Sequence, residues 1–205
     1  MVISCKRKDI LRLSLSEYQQ WAVLVTESVV QSAKFLHEQK IFDARDLPYR
    51  TQVVPLTAIF PTLGTRAQHD GVQRKIARWF WCGVFGELYG SAVETRFARD
   101  LPEVIVWLTG GPEPTTMRDA NFAPSRLRTL RSRNSAAYKG GSALLLRGGA
   151  IEPAHLRQDA FEAFFAARER ALLDRIAGVM GKPMAYHTDT SEPEADEDEE
   201  GAEAA

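Results

Sequence analysis

Apolar side chains return every three or four residues through most of this chain, and this helical spacing limits the possible folds more than any other feature. The longest run starts at a capping-box-like pair, Ser16 and Gln19, and continues to about Lys40; its apolar positions are Tyr18, Trp21, Ala22, Val25, Val29, Ala33 and Leu36. No segment shows a convincing alternation of apolar and polar residues, the pattern of a half-buried strand. We therefore predict an all-α fold, a multi-helix bundle.

Caps and prolines predict where the other helices begin and end. Pro55 suits the first turn of a short helix that ends at Pro61, and Asp70 suits the cap of the next helix. A capping box of Ser91 and Glu94 predicts a helix over 91–100, and Pro102 opens another over 101–108. Two further helices are predicted over 135–146 and 156–179, with irregular stretches at 62–71 and 112–124.

Two local patterns have both a structural and a functional interpretation. The aromatic run Trp79, Phe80 and Trp81 could stack on nucleic-acid bases, but its helical setting among apolar neighbours favours packing in the core. Gly140 and Gly141 lack the strand-then-helix setting of a phosphate-binding loop, so we interpret them as a helix end or kink.

Charge divides the chain into a basic body and an acidic tail. Residues 1–188 contain 26 basic and 18 acidic residues, a net charge of +8, whereas nine acids and no base lie from Asp189 onward. A basic body points weakly towards nucleic acid. The tail has almost no apolar residues to bury, so we predict that residues 185–205 are disordered.

Composition also excludes several classes of protein. No apolar stretch reaches the length that crosses a bilayer, and the first residues lack the apolar segment of a signal peptide. Only two cysteines occur, Cys5 and Cys82, far apart in sequence. We expect a cytoplasmic protein with no membrane partner.

The four histidines do not form the pattern of a metal-dependent catalytic site. Such a site needs a general base and further ligands held close together. His37, His69, His155 and His187 each lie in a different segment, without adjacent or i, i+4 spacing. We therefore predict no catalytic residues, no metal ligands and no cofactor.

A cluster of basic residues between positions 118 and 147 is the best candidate for a DNA contact. Arginine pairs bidentately with phosphate oxygens and gives sequence-independent affinity. The alternative is a solvated helix face with arginines paired to acids elsewhere, such as Glu87 or Glu94. The candidate DNA-binding residues are Arg126, Arg128, Arg131, Arg133, Asn134, Tyr138 and Lys139.

Long aromatic-rich blocks resemble one known family. The blocks are residues 5–13, 34–38, 41–49, 78–100, 131–139, 143–147 and 161–182. Together they resemble the region that follows the N-terminal domain in GmrSD-type modification-dependent restriction endonucleases. The resemblance covers nearly everything except the acidic tail.

Two departures from that family bear on activity. Family members begin with a ParB-like domain that carries an Asp-Gly-Gln-Gln-Arg motif, and this motif is absent here. Residues 70–74, Asp-Gly-Val-Gln-Arg, resemble it by chance. Members also carry an Ile-His-His-Ile-Phe-Pro motif of an HNH nuclease soon after the Leu-Leu-Leu-Arg block. Here residues 148–150 run directly into 151–153, which resemble a segment beyond the nuclease core. The resemblance thus implies a chain truncated at its start and internally deleted.

These observations leave three hypotheses for function. The first is a non-catalytic helical fragment or split subunit of a restriction system that acts on modified DNA. The second is a DNA-binding module that uses the basic 118–147 surface through weak phosphate contacts. The third is a nuclease subunit completed by a separately encoded N-terminal or nuclease chain. The predicted parts are a helical domain over 1–147, a C-terminal helical segment over 148–184 and the tail over 185–205.

Overall fold

The computed structural model describes residues 7–91, 93–130, 132–146 and 161–184. Every regular element in these ranges is helical, which confirms the prediction of an all-α fold. The acidic tail and the junction at 148–153 lie outside the described residues. The α-helices are α1 Arg7–Ile10, α2 Leu15–Glu38, α3 Val53–Leu63, α4 Asp70–Phe85, α5 Val93–Leu108, α6 Thr115–Asp119, α7 Arg126–Thr129, α8 Ala136–Leu146 and α9 Phe161–Met180.

Helix α4 lies at the centre of the bundle. It contacts α5, α6, α8 and α9, and its side chains at Ile76, Trp79, Phe80 and Trp81 are fully buried. Phe80 meets the ring of Phe35 from α2 edge-on, with ring centroids 5.9 Å apart. The predicted core packing of the aromatic run is therefore confirmed.

Helix α2 starts earlier than its sequence pattern indicated. The N-cap is Ser14, whose hydroxyl accepts a hydrogen bond from the backbone N–H of Glu17 at 3.2 Å. The Glu17 carboxylate in turn accepts one from the backbone N–H of Ser14 at 2.9 Å. The predicted pair of Ser16 and Gln19 was wrong because a charged carboxylate two residues earlier completes the reciprocal box. Three-residue spacing alone did not distinguish the two pairs.

The stretch 93–108 forms one helix rather than the two predicted over 91–100 and 101–108. Pro102 lies inside α5, where its ring removes one backbone donor. The helix continues because Phe97, Val104 and Trp107 lie on one buried face that packs into the core. Packing therefore outweighs the local penalty of the proline. The stretch predicted to be irregular at 112–124 also contains a short helix, α6.

The glycine pair of α8 allows close packing against α4. Gly140 and Gly141 lie in the middle of the helix, as the helix predicted over 135–146 implied, and both are buried, so they do not form a helix end. A Cβ on Gly140 would lie 2.8 Å from Cγ1 of Val84 and 3.1 Å from Cζ of Phe85. A Cβ on Gly141 would find only Cδ2 of Leu172, at an ordinary 3.8 Å. Gly140 thus allows the close approach of α8 to α4, whereas Gly141 has room for a side chain.

We expect opposite effects on stability from two neighbouring substitutions. Gly140→Ala should destabilise the fold by about 1–3 kcal/mol, because the added methyl overpacks the contact with α4. Gly141→Ala should stabilise it by up to about 1 kcal/mol, because alanine is the better helix former and has room there. Urea unfolding followed by tryptophan fluorescence measures both. Equal shifts of the two midpoints would show that α8 does not approach α4 as described.

Candidate nucleic-acid interface

A basic cleft lies where α8 meets the segment that follows α2. Its volume is about 300 Å³. Four of the residues predicted to contact DNA line this cleft, and so do two basic residues that the sequence reasoning did not select. The lining residues are Lys40, Arg45, Asp46, Arg133, Asn134, Tyr138, Lys139, Ser142, Ala143 and Leu146. The structure therefore brings together residues almost a hundred positions apart.

Local hydrogen bonds position the α8 side of the cleft. The Ser135 hydroxyl accepts from the backbone N–H of Tyr138 at 3.3 Å, at the first turn of the helix. The ammonium group of Lys139 donates to the carbonyl oxygen of Leu47 at 3.4 Å. This contact joins α8 to the segment after α2. On the other side, Lys40 has a left-handed backbone with φ 66°, which turns the chain as α2 ends.

The charges that line the cleft favour an anion. Four of the lining residues are basic and one, Asp46, is acidic. Arg45 is also paired with Asp43, whose carboxylate accepts bonds of 3.0 and 3.2 Å from its guanidinium. The hydrogen bonds from Arg45 lower the pKa of Asp43 to about 2, so that pair is ionised near neutral pH. Arg133 is exposed and has no acidic partner among the described residues.

Two of the remaining predicted residues, Arg126 and Arg128, do not line the cleft. The guanidinium of Arg126 lies 3.1 Å from the carboxylate of Glu87, one of the two acids named in the alternative interpretation. Arg128 forms a two-bond pair with Glu169, at 3.0 and 3.3 Å. Arg131 lies outside the described residues. The basic run thus divides into two arginines that bind acids across the fold and a group that faces the cleft.

An apolar groove of about 700 Å³ continues from the cleft between α7, α8 and α9. Tyr138 and Ser142 line both the groove and the cleft. Leu127, Leu130 and Leu172 supply much of its apolar lining. An aromatic ring between a cationic cleft and an apolar groove suits a ligand that has both anionic and aromatic parts.

A buried carboxyl group holds α5 against α6. The hydroxyls of Tyr89 and Thr116 both donate to Asp100, which is fully buried. Burial and then the neighbouring Asp100 raise the pKa of the Tyr89 hydroxyl far above its usual range. This network lies within the hydrophobic core rather than in the cleft, so we interpret it as structural. Sequence reasoning missed it because the three residues belong to different predicted elements.

The described part of the chain contains no group of three or more histidine, cysteine, aspartate or glutamate side chains that could hold a metal ion. The ring of His37 packs edge-on against Phe42, at 4.7 Å between centroids. His69 precedes α4 as its N-cap residue, and His155 and His187 lie outside the described residues. Among the described helices, none is both long and apolar enough to span a bilayer.

Sequence reasoning missed Lys40 and Arg45 as cleft residues. Both lie far from the basic 118–147 run, and no local pattern connects them to it. The available signal was that the 41–49 segment, which contains Arg45, and the 131–139 segment are both among the blocks on which the expected family resemblance rests. Basic residues from these two blocks could therefore have been considered together as parts of one surface.

Comparisons with known proteins add little about activity. No protein-family model matches the sequence, and a search of solved structures found no match. The chain is similar to an uncharacterized protein of Methanocaldococcus jannaschii, at 24% identity over an alignment of 155 residues that covers 67% of this chain and 25% of that protein. The chain thus spans about a quarter of the length of this relative.

We expect the thiol of Cys82 to be unreactive in the native protein. It is fully buried and donates to the carbonyl oxygen of Met180 at 3.5 Å, and burial raises its pKa to about 11. In a Cys5→Ser variant at pH 8, Ellman's reagent should react about a hundredfold more slowly with native protein than with urea-unfolded protein. Rapid labelling of the native chain would contradict this burial.

Proposed function

We propose that this chain is a non-catalytic helical module of a GmrSD-type restriction system and that it contacts the DNA backbone through the basic cleft. The observation that carries the proposal is the convergence of Arg133, Lys139 and Lys40 on one concave surface. Phosphate contacts of this kind give affinity without sequence information. The family assignment rests on the resemblance of the sequence blocks, and the DNA contact rests on the cleft.

The chemistry of the cleft supports an anionic polymer rather than a small anion. Its basic groups line an open cleft that continues into an apolar groove. Asn134 and Ser142 add neutral polar groups, which commonly donate to phosphate or sugar oxygens. The ring of Tyr138 can pack against a sugar or an exposed base at the boundary with the groove.

The first test compares the DNA binding of variants in which one basic residue is replaced by glutamine. Arg133→Gln should weaken affinity for a short duplex several-fold, because it removes a phosphate contact, and should lower the salt slope by about one. Lys40→Gln should act in the same direction. Arg66→Gln is the matched control, since Arg66 is exposed on a short helical turn and does not line the cleft. Fluorescence anisotropy at several salt concentrations measures all four proteins.

Two results would overturn the cleft as the DNA contact. Absence of binding by the unmodified chain at low salt would remove the DNA-binding proposal altogether. An effect of Arg66→Gln equal to that of Arg133→Gln would show that net charge, and not the cleft, determines affinity.

A second test concerns catalysis. We expect no cleavage of plain, hydroxymethylated or glucosylated DNA by the purified chain with magnesium or manganese, because the sequence lacks the histidine pair of an HNH site. Gel analysis of each substrate gives the result. Cleavage that a single histidine substitution abolishes would show that the chain is a nuclease.

A further inference from the structure

The N-terminal half of α2 exposes an apolar stripe. We use this name for Leu15, Tyr18, Trp21, Ala22, Val25 and Val29. In a helix of about 3.6 residues per turn, these positions lie along one side, the side that also includes the buried Ser32 and Leu36. Towards the C-terminus this side packs into the bundle, whereas every residue of 10–27 except Ala22 is exposed. The side chains of Leu15 and Tyr18 are 71% and 59% exposed.

The exposed apolar area is larger than a monomer usually leaves in water. Ile10, Leu11 and Leu13 precede the stripe and are 62%, 80% and 53% exposed. With them, the stripe exposes on the order of 800 Å², if side-chain areas of about 150–250 Å² are used for its larger residues. Monomers seldom expose contiguous apolar patches beyond a few hundred Å². One partner in a standard interface contributes about 800 Å².

We propose that the apolar stripe is a homodimer interface in which α2 of one copy packs antiparallel against α2 of a second copy. Side-chain size along the stripe supports this choice of partner. The three residues nearest the N-terminus are large, namely Leu15, Tyr18 and Trp21. The three that follow are small or β-branched, namely Ala22, Val25 and Val29.

An antiparallel pairing with its two-fold axis between Trp21 and Ala22 places a large side chain near a small one in each layer. Tyr18 faces Val25, Trp21 faces Ala22, and Leu15 lies one residue, about 1.5 Å, from the level of Val29. The two-fold axis repeats each pair. Layers of this kind interdigitate without voids or overlap. A face that complements itself in this way is the property of an isologous dimer.

Charge and length agree with the same pairing. Between Leu13 and Val30 the only charged residues are Glu17 and Glu27. Antiparallel helices hold the two Glu17 side chains about 14 Å apart along the axis, whereas parallel helices would place them side by side. Glu17 of one copy comes within one residue of the level of Glu27 of the other, but Glu27 lies about 180° around the helix from the middle of the stripe and points away from the partner. Leu15 of one copy comes within one residue of the level of Val29 of the other. Burial against the bundle begins at Ser28, so the exposed length of the stripe matches the paired length.

The test compares two glutamate substitutions on the same helix. Val25 lies on the stripe and is 44% exposed, whereas Val23 lies off it and is 66% exposed. Two residues turn the helix by about 200°, so the two side chains point to nearly opposite sides. The substitutions change helix propensity and net charge equally. Both positions are exposed in the monomer, and the main difference is whether the charge enters the interface.

Light scattering after gel filtration should give twice the mass of one chain for the unmodified protein and for Val23→Glu. Val25→Glu should weaken dimerisation about tenfold or more and give the mass of one chain at the same concentration. Circular dichroism checks that both variants keep their helices. A monomeric unmodified chain at all concentrations would overturn the proposal, and so would equal dimerisation of the two variants.

Crosslinking tests the antiparallel orientation. In a Cys5→Ser background, Ala22→Cys places both thiols beside the two-fold axis, and a short bis-maleimide should join them. Leu15→Cys places them about 20 Å apart in the antiparallel dimer, beyond the reach of that reagent. Efficient crosslinking at both positions would indicate parallel helices and overturn the pairing. Crosslinking at neither position would exclude the stripe as the interface.

Discussion

The burial of α4 on all sides determines where the other helices lie. Residues 79–85 are buried without exception, so this part of the helix has no face for solvent. A helix of this kind must be surrounded by others to remain out of water, and α5, α6, α8 and α9 all contact it. The indole nitrogen of Trp81 also donates to Gln39 at 3.0 Å, which ties the end of α2 to the same centre. Lys40, the next residue, is thereby placed beside the cleft.

Helical spacing predicted the fold well because it reports the direction in which each side chain is buried. It predicted the burial of Trp79 and Phe80 from the sequence alone. It did not predict that α5 continues through Pro102, because the compensation comes from core contacts of Phe97 and Val104 that are distant in sequence. Nor did it predict how much of α2 the bundle covers. Tyr18 and Leu36 lie on the same side of one helix, yet only Leu36 is buried.

Part of the basic cleft was also predictable from the sequence. The basic run was visible because its members are neighbours in sequence. Its division was not visible, because Glu87 and Glu169 lie about forty residues from Arg126 and Arg128, which they bind. Arg126 and Arg128 join helices across the fold, whereas Arg133 has no acidic partner among the described residues. Only the tertiary contacts distinguish an arginine that pairs with an acid across the fold from one that lines the cleft.

Helix α2 connects the two proposals in a way that bears on affinity. Lys40 follows the C-terminal end of α2 at the cleft, and the exposed half of α2 bears the apolar stripe. Lys40 is eighteen residues beyond Ala22, so in the antiparallel dimer two clefts would lie roughly 55 Å apart along the helices. A single cleft with a few phosphate contacts binds weakly at physiological salt. Two clefts held at a fixed distance make the second contact intramolecular, which raises the overall affinity without any new contact. A stiff duplex long enough to reach both clefts is the kind of ligand that would gain from this arrangement.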